Sequence, residues 1–211
     1  SSDLLIEGVD ASSFDLVLQL VSNNLEAIKT NRLIVTQLTT LLLDLKYRNS
    51  QLYLRNAAAS EALLGLFVPD VVRNLQHFKD HQKPKSEAKE TSVKVEELVQ
   101  EVLGAACEVE HIEGVWVIDQ YVEVEPQVFR EVFGKEGRAV DGRVRLGIEI
   151  QGNTHFEEER KNRRTVFKMN FLGRAGLHMT DISTEELWRL SLLPKVSRKE
   201  AFAAVLKANL Y

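Results

Sequence analysis

Cysteine is almost absent from this chain of 211 residues, which contains only Cys107. A single thiol excludes an internal disulfide framework and a cysteine-based zinc site. We expect Cys107 to be a small buried residue rather than a nucleophile, in a chain that suits a reducing compartment. Long apolar runs are also missing, and none approaches the roughly 20 residues of a membrane-spanning helix. The sequence therefore predicts no membrane partner.

An excess of positive charge is missing as well. The chain has 27 Lys and Arg residues against 31 Asp and Glu, a net charge of -4 and a pI near 5.8. This balance excludes a uniformly basic coat, so any contact with nucleic acid must be local. Residues 1–7 are neither basic nor continuously apolar, and we expect no targeting peptide within them.

Helical periodicity dominates the first eighty residues, which predict an all-α domain over residues 1–80. Four helices are expected, with a tight connection at residues 30–32, a third helix over about 50–67, and Pro69 in the first turn of the fourth. The four helices suit either the end of an α-solenoid or a plain four-helix unit. The positions expected to face inward include Phe14, Val17, Val21, Leu25, Ile28, Ile34, Leu38, Leu41, Leu45, Leu52, Ala59, Leu63 and Leu66.

A polar, charged segment with Pro84 follows, and it predicts a flexible linker over residues 81–91. A second domain is expected over residues 92–211, opening with a helix at Thr91 or Ser92 that ends at Gly104. Within it, residues 127–134 predict a short helix. Residues 135–142 predict an excursion that could be a partner-specific loop.

The most informative stretch is the strand predicted at residues 143–151. Its apolar residues alternate and should lie on one face, which turns Glu149 and Gln151 to the other face. A carboxylate held there must be paired, hydrogen-bonded, bound to a metal or solvated in a cleft, because burying it alone costs several kcal/mol. The plain alternative is an edge strand with one face in water.

A turn and a charged segment follow this strand. Gly152 and Asn153 suit a tight turn, and a long helix is expected from Glu157 onward. His155 in that turn could hydrogen-bond a phosphate or assist as an acid, or it could fix the turn by bonding to the backbone. Cations at i, i+3, i+4 and i+8 spacing could face a phosphate backbone or form a solvated, ion-paired face. The cations of this segment are Arg160, Lys161, Arg163, Arg164 and Lys168.

The C-terminal part predicts a helix closed by Gly176, a strand over residues 177–182, and two short helices. Two capping boxes are expected, Ser183 with Glu186 and Ser197 with Glu200. Trp188 and Trp116 are assigned to the core, although Trp188 could instead stack on a nucleobase.

The succession of motifs resembles the RAP domain family. It comprises an apolar strand with Glu149, the Gly-Asn-Thr-His-Phe turn, a helix with Lys168, a strand led by Gly176, and a helix with Trp188. The resemblance covers about residues 93–211. It implies an α/β restriction-endonuclease-like domain, similar to very-short-patch-repair and PD-(D/E)-x-K nucleases, following helical repeats in an organellar RNA-associated protein. The fold class is then α+β overall, with an N-terminal all-α, solenoid-like unit.

Nucleases of that class need an Asp on one strand, and an acid and a Lys two residues apart on the next, to hold Mg²⁺ and activate water. Asp119 and Glu149 match the two acids, but Gln151 stands at the Lys position. A neutral amide neither activates water nor adds charge to a metal site. The resemblance therefore implies a degenerate, non-catalytic site without a cofactor, unless Lys168 substitutes from the helix.

Three functions remain open from the sequence. The first is an RNA-binding module for organellar mRNA or rRNA, mitochondrial by resemblance. In it the five cations contact phosphate, and Glu149, Gln151 and His155 line the cleft. The second is a structural subunit that binds proteins in a large mitochondrial ribonucleoprotein, which the acidic net charge favours. The third is a metal-dependent endoribonuclease built on Asp119, Glu149 and Lys168.

Overall fold

The computed structural model of the protein describes residues 11–81, 86–152, 156–157, 160–161 and 163–211, without the side chains of 86–89, 156–157 and 160–161. The described part of the chain is mixed α+β and divides into two compact units. Unit 1 contains the residues up to His81 together with Ile112–Trp116. Unit 2 contains the residues from the start of the next helix to His111, and those from Val117 to Tyr211.

Unit 1 is formed by helices around a small apolar core. Asn31 caps one helix by accepting the N–H of Ile34, and Ser50 caps another by accepting the N–H of Leu52, which explains the two tight connections. Phe67 is completely buried at the centre. The helices are α1 (Ala11–Asn23), α2 (Leu25–Lys29), α3 (Arg32–Tyr47), α4 (Gln51–Arg55) and α5 (Ala57–His81).

The predicted break at Pro69 is wrong, because α5 runs continuously through it. Proline removes one helical hydrogen bond and presses its ring on the carbonyl four residues earlier. Buried Phe67 and Val71 on either side of Pro69 pack into the core and stabilise the helix across the missing hydrogen bond.

The buried faces of the helices in unit 1 also differ by one residue from the prediction at several positions. Leu18, Val35 and Phe67 are buried where Val17, Ile34 and Leu66 were expected, since paired apolar residues allow two placements of the stripe.

Unit 2 carries a mixed sheet with helices on it. The helices are α6 (Ser86–Leu103), α7 (Pro126–Phe133), α8 (Arg163–Arg174), α9 (Thr184–Ser191) and α10 (Lys195–Ala208). The strands are β1 (Glu108–Glu113), β2 (Trp116–Val124), β3 (Ala139–Val140), β4 (Arg143–Gln151), β5 (Phe156–Glu157), β6 (Arg160–Lys161) and β7 (His178–Ser183).

Strand β4 lies at the centre of the sheet. It pairs antiparallel with β2, where Gln120 faces Ile148, and parallel with β7, where Glu149 faces Asp181. β1 extends the sheet beyond β2, and the short β3 pairs with the start of β4. The edge-strand alternative for residues 143–151 is therefore wrong. The predicted alternation holds, but both faces of β4 are buried between Leu146 and Glu149.

The two faces of the sheet have different neighbours. One face, which includes Leu146 and Ile148 of β4, forms a single apolar core with α6, α7, α9 and α10. Because side chains alternate along a strand, Glu149 lies on the opposite face, where Lys168 of α8 reaches it. The site is thus built on the α8 side of the central strand.

Several predicted boundaries in unit 2 are corrected. α6 begins at Ser86 rather than Thr91, since alanine, lysine and glutamate favour helix there; residues 82–85 of the expected linker lie outside the described residues. The helix expected from Glu157 begins at Arg163, and β5 and β6 form a small hairpin before it. No apolar residue between Glu157 and Arg164 offers a face that packing could stabilise as helix.

The two capping boxes have different outcomes. Ser183 and Glu186 form theirs, with both reciprocal hydrogen bonds present. The one predicted at Ser197 is wrong, because Pro194 caps α10 and Ser197 already lies in its first turn. None of the described helices is long and apolar enough to cross a membrane.

Candidate functional site

Glu149 is a carboxylate held inside the sheet. It projects from the central strand β4, and only 4% of the residue is exposed. Strands on both sides and α8 above leave it no solvated cleft. The sequence left Glu149 paired, hydrogen-bonded, metal-bound or solvated, and the structure shows it in an ion pair with Lys168. Its Oε1 is buried and has no hydrogen-bond partner among the residues that the structure describes.

Lys168 supplies the opposite charge. Its Nζ lies 2.6 Å from Glu149 Oε2 and also donates to the backbone carbonyl of Val117 on β2. The side chains of Lys168 and Glu149 are 15% and 5% exposed. α8 lies over the sheet through buried Met169 and Leu172, which positions Lys168 on the inner side of the helix. One ammonium group thus bridges two neighbouring strands.

Asp119 is tied to the same strands. Its Oδ2 accepts the backbone N–H of Ile150 at 2.7 Å. The register between β2 and β4 runs from Val124 and Val144 as far as Gln120 and Ile148. The Asp119 carboxylate therefore takes over as hydrogen-bond acceptor just where the backbone pairing ends, and this holds its charge beside Glu149.

The electrostatics of this cluster favour a proton on Glu149. Burial, and after it the negative charge of Asp119, raise the pKa of Glu149 to about 7. The Lys168 ammonium and the backbone at Asp119 lower this pKa, but they do not outweigh burial. Near neutral pH, the carboxyl is thus shared between its protonated form and its ion-paired form. Such a group can exchange a proton at physiological pH.

Gln151 lies two residues after Glu149 on the same face of β4. It is 2% exposed, and neither atom of its amide has a hydrogen-bond partner among the described residues. It lines a cleft of about 320 Å³ with Asp181 and with Glu185 and Arg189 of α9. Buried side-chain amides are normally hydrogen-bonded.

A metal would find few ligands here. Asp119 and Glu149 offer oxygen atoms of the kind that Mg²⁺ binds. Across the part of the chain that the structure describes, no three His, Cys, Asp or Glu side chains are close enough together to hold an ion. Lys168 places its ammonium on the Glu149 carboxylate. The residues present therefore do not fit a resident divalent ion without moving Lys168.

The predicted phosphate contacts are spread over different surroundings. Arg163 and Arg164 are exposed at the start of α8, whereas the Lys168 amine points inward. Arg160 lies in β6, so the helical i, i+3, i+4, i+8 stripe is wrong as a single helix face. The side chains of Arg160 and Lys161 lie outside the described residues, as does all of His155.

The two tryptophans and Cys107 differ in how far they are buried. Trp188 is 63% exposed, so its assignment to the core is wrong; α9 buries Leu187 and Leu190 instead. Trp116 is half-buried. Cys107 is partly buried, and burial raises the pKa of its thiol to about 12, which supports an unreactive side chain.

Sequence reasoning missed Asp181. It faces Glu149 in the parallel register of β4 and β7 and is 3% exposed. The sequence did contain a signal for it: Asp181 is an acidic residue inside a partly apolar strand, which is the pattern that identified Glu149. No family model matches this sequence, and no curated protein matches it.

Proposed function

We propose that the protein is an organellar RNA-binding protein that uses a catalytically degenerate, endonuclease-like RAP domain in RNA processing or ribonucleoprotein assembly. The succession of β4 with Glu149, α8 with Lys168, β7 after Gly176 and α9 with Trp188 supports the RAP resemblance. The arrangement of Asp119 and Glu149 on two adjacent strands supports the endonuclease-like fold. A mitochondrial location and an mRNA or rRNA target belong to the same proposal.

The ion pair between Lys168 and Glu149 is the main support for proposing that the domain is not catalytic. A nuclease of this class needs a divalent cation on these carboxylates. Here an ammonium 2.6 Å from Glu149 Oε2 supplies positive charge at that place. Gln151 stands where a catalytic Lys is required, and its amide cannot take a proton from water. The cluster thus supports a stable scaffold better than a hydrolytic centre.

Arg163 and Arg164 are the proposed phosphate contacts that remain at the surface of the described residues. They begin α8, where the positive end of the helix dipole also favours a phosphate group. The net charge of -4 disfavours nonspecific binding over the whole surface of the protein. RNA contact through a small basic area follows from the two observations together.

A gel-shift assay tests the proposal. Wild-type protein should retard single-stranded RNA, more weakly at about 200 mM salt than at about 50 mM, because phosphate contacts release counterions. Arg163→Glu with Arg164→Glu should weaken the complex strongly. Arg73→Glu is the control, since Arg73 is an exposed residue of unit 1 whose Asp70 pair contributes little. Equal loss in both variants, or no wild-type complex, would contradict RNA binding through these residues.

A metal-dependent endoribonuclease is the second candidate, because the structure brings Asp119, Glu149 and Lys168 into one cluster. A substrate phosphate would have to draw the Lys168 amine away from Glu149 and free the carboxylate for the ion. RNA incubated with Mg²⁺ or Mn²⁺, and then with a chelator, tests this candidate. Cleavage that needs the ion and disappears in Asp119→Ala with Glu149→Ala would establish it.

A structural, protein-binding subunit of a large mitochondrial ribonucleoprotein is the third candidate. Trp188 and Leu192 are 63% and 66% exposed, one helical turn apart at α9. Tryptophan is enriched at the centres of protein contacts, and Leu192 extends the apolar surface beside it. A wild-type protein that neither binds nor cleaves RNA, but cosediments with a ribonucleoprotein and loses this in Trp188→Ser, would favour this candidate.

A further inference from the structure

A second cleft, of about 380 Å³, lies at the end of α8. Its polar lining comprises Arg138, Asn170, Arg174, His178 and Tyr211, and Gly173 contributes bare backbone. The volume is within the range of small-ligand sites in proteins. This cleft is separate from the one lined by Gln151, because the two share no lining residue.

The charge of this cleft is opposite to that of the whole chain. Its lining includes two arginines and no carboxylate side chain, although the chain carries a net charge of -4. The Arg138 guanidinium makes no hydrogen bond or ion pair with another residue in the described ranges. An arginine left with five donors and exposed in a concave surface is suited to an anion, above all a phosphate.

The backbone holds Arg138 in place. Its N–H donates to His178 Nε2 at 2.9 Å, and the His178 ring packs on Phe129 with 4.7 Å between ring centres. Burial, and then the charge of Lys135, lower the pKa of His178, so the ring stays neutral and can accept this bond. Arg138 Nη1 lies 4.0 Å from the position of a Cβ on Gly176, at the end of α8. The segment predicted as a loop, residues 135–142, is thus hydrogen-bonded to His178 of β7.

The helix dipole explains only part of this arrangement. A cation in the last turn of a helix is favoured by the dipole, which suffices for Arg174 in α8. Arg138 comes from a different segment, between α7 and β3, and needs a separate reason. An anion that both guanidinium groups bind would provide one. It would also match the local contact that an acidic RNA-binding protein requires.

Two features point to a nucleotide rather than to a free phosphate. Tyr211 is 48% exposed at the cleft and presents an aromatic face of the kind on which nucleobases stack. In the same cleft, a Cβ added at Gly173 would meet nothing within 4 Å, so the surface at this residue is open. We propose that this cleft binds one nucleotide of single-stranded RNA, its phosphate on Arg138 and Arg174 and its base against Tyr211. This inference rests on the proposed RNA-binding function.

Fluorescence anisotropy with a labelled single-stranded RNA of about 12 nucleotides tests the proposal, at about 50 and 200 mM salt. Arg138→Glu should weaken binding by roughly tenfold or more and reduce the salt slope by about one. Gly173→Glu should weaken it similarly by placing a carboxylate in the open space, while Gly173→Ala should bind like the wild type. Arg73→Glu makes the same charge change as Arg138→Glu on unit 1 and should have little effect.

The aromatic contact has its own pair of variants. Tyr211→Ala should weaken binding by about tenfold, and Tyr211→Phe should retain it, because stacking needs the ring and not the hydroxyl. An abasic ribose-phosphate oligomer should bind equally to wild type and Tyr211→Ala. Circular dichroism confirms that each variant is folded, and Arg138→Gln gives a milder change if Arg138→Glu is not.

The outcomes separate this proposal from the function on which it rests. Loss in Arg138→Glu and Gly173→Glu, but not in their controls, supports the cleft. Wild-type binding that both variants retain, while Arg163→Glu with Arg164→Glu loses it, overturns the cleft and leaves the RNA-binding function standing. Equal competition by polyglutamate overturns the nucleotide contact, because an acidic peptide offers no base. A wild type that binds no RNA overturns the function and the cleft together.

Discussion

Removing the Lys168 ammonium should destabilise the protein in a way that depends on pH. Lys168→Met keeps most of the side-chain volume but leaves Glu149, 4% exposed, beside the negative charge of Asp119 without a cation. An ionised carboxylate in that position costs several kcal/mol, so Glu149 will hold its proton to higher pH in the variant. The substitution should therefore cost only the hydrogen bond to the Val117 carbonyl where Glu149 is protonated, and clearly more where Glu149 is ionised.

The direction of this pH dependence follows from the raised pKa of Glu149. A carboxyl whose pKa is about 7 in the folded protein and 4.5 as its ordinary value stabilises the fold at low pH, and this contribution is lost as pH rises through 7. Lys168→Met raises the folded pKa further, and each added unit costs about 1.4 kcal/mol above it. We expect the loss of stability near pH 8.5 to exceed the loss near pH 5.5 by roughly 2–3 kcal/mol.

Urea unfolding followed by circular dichroism at both pH values measures this difference, with separate transitions fitted if the two units unfold independently. Lys94→Met is the control, because Lys94 pairs with Glu90 on the exposed side of α6 and should show no such pH dependence. Glu149→Gln combined with Lys168→Met should recover part of the loss at high pH. A loss in Lys168→Met that is equal at both pH values would refute the reasoning.

Three further predictions test the scaffold around the site. Gly137→Ala should cost roughly 1–3 kcal/mol in thermal unfolding, because its Cβ would lie 2.8 Å from Phe129 Cδ1; an unchanged melting temperature would contradict this contact. Ser183→Ala should cost about 1 kcal/mol by removing the cap of α9, and Ser183→Asp should restore it, as chemical denaturation can show. With a thiol pKa of about 12, Cys107 should react slowly with a disulfide reagent when folded and fast when unfolded.

Short sequence patterns predicted the structure correctly where a residue's position has a single local physical explanation. The alternation of β4 placed Glu149 opposite its apolar neighbours, and the Ser183 and Glu186 pair marked the start of α9. Gly176, with a φ of 94°, ends the α8 segment as predicted, since few other residues adopt that conformation. Each of these features depends on a few adjacent residues and on backbone geometry.

Features that depend on tertiary packing could not be read in the same way. Charge spacing placed Lys168 on an outer stripe with Arg160, but the apolar residues that dock α8 begin only after Arg164 and turn Lys168 inward. Trp188 was assigned to the core by its leucine neighbours, of which α9 buries Leu187 and Leu190 and leaves the tryptophan outside. In both cases the sequence offered two faces, and contacts from distant elements decided between them.

The Lys168 ammonium also bears on whether the site could take up a metal. A divalent ion on Glu149 would have to displace an ammonium that binds both the carboxylate and the Val117 carbonyl, and would leave that cation among buried groups. Above the Glu149 pKa of about 7, both cations compete for an ionised carboxylate; below it, the proton also competes. Where Glu149 is ionised in both proteins, apparent Mg²⁺ affinity in wild type should therefore be lower than in Lys168→Met. Isothermal titration should measure this difference at a pH above the raised Glu149 pKa of the variant. If Lys168→Met binds Mg²⁺ no better than wild type, the ammonium is not what excludes the ion.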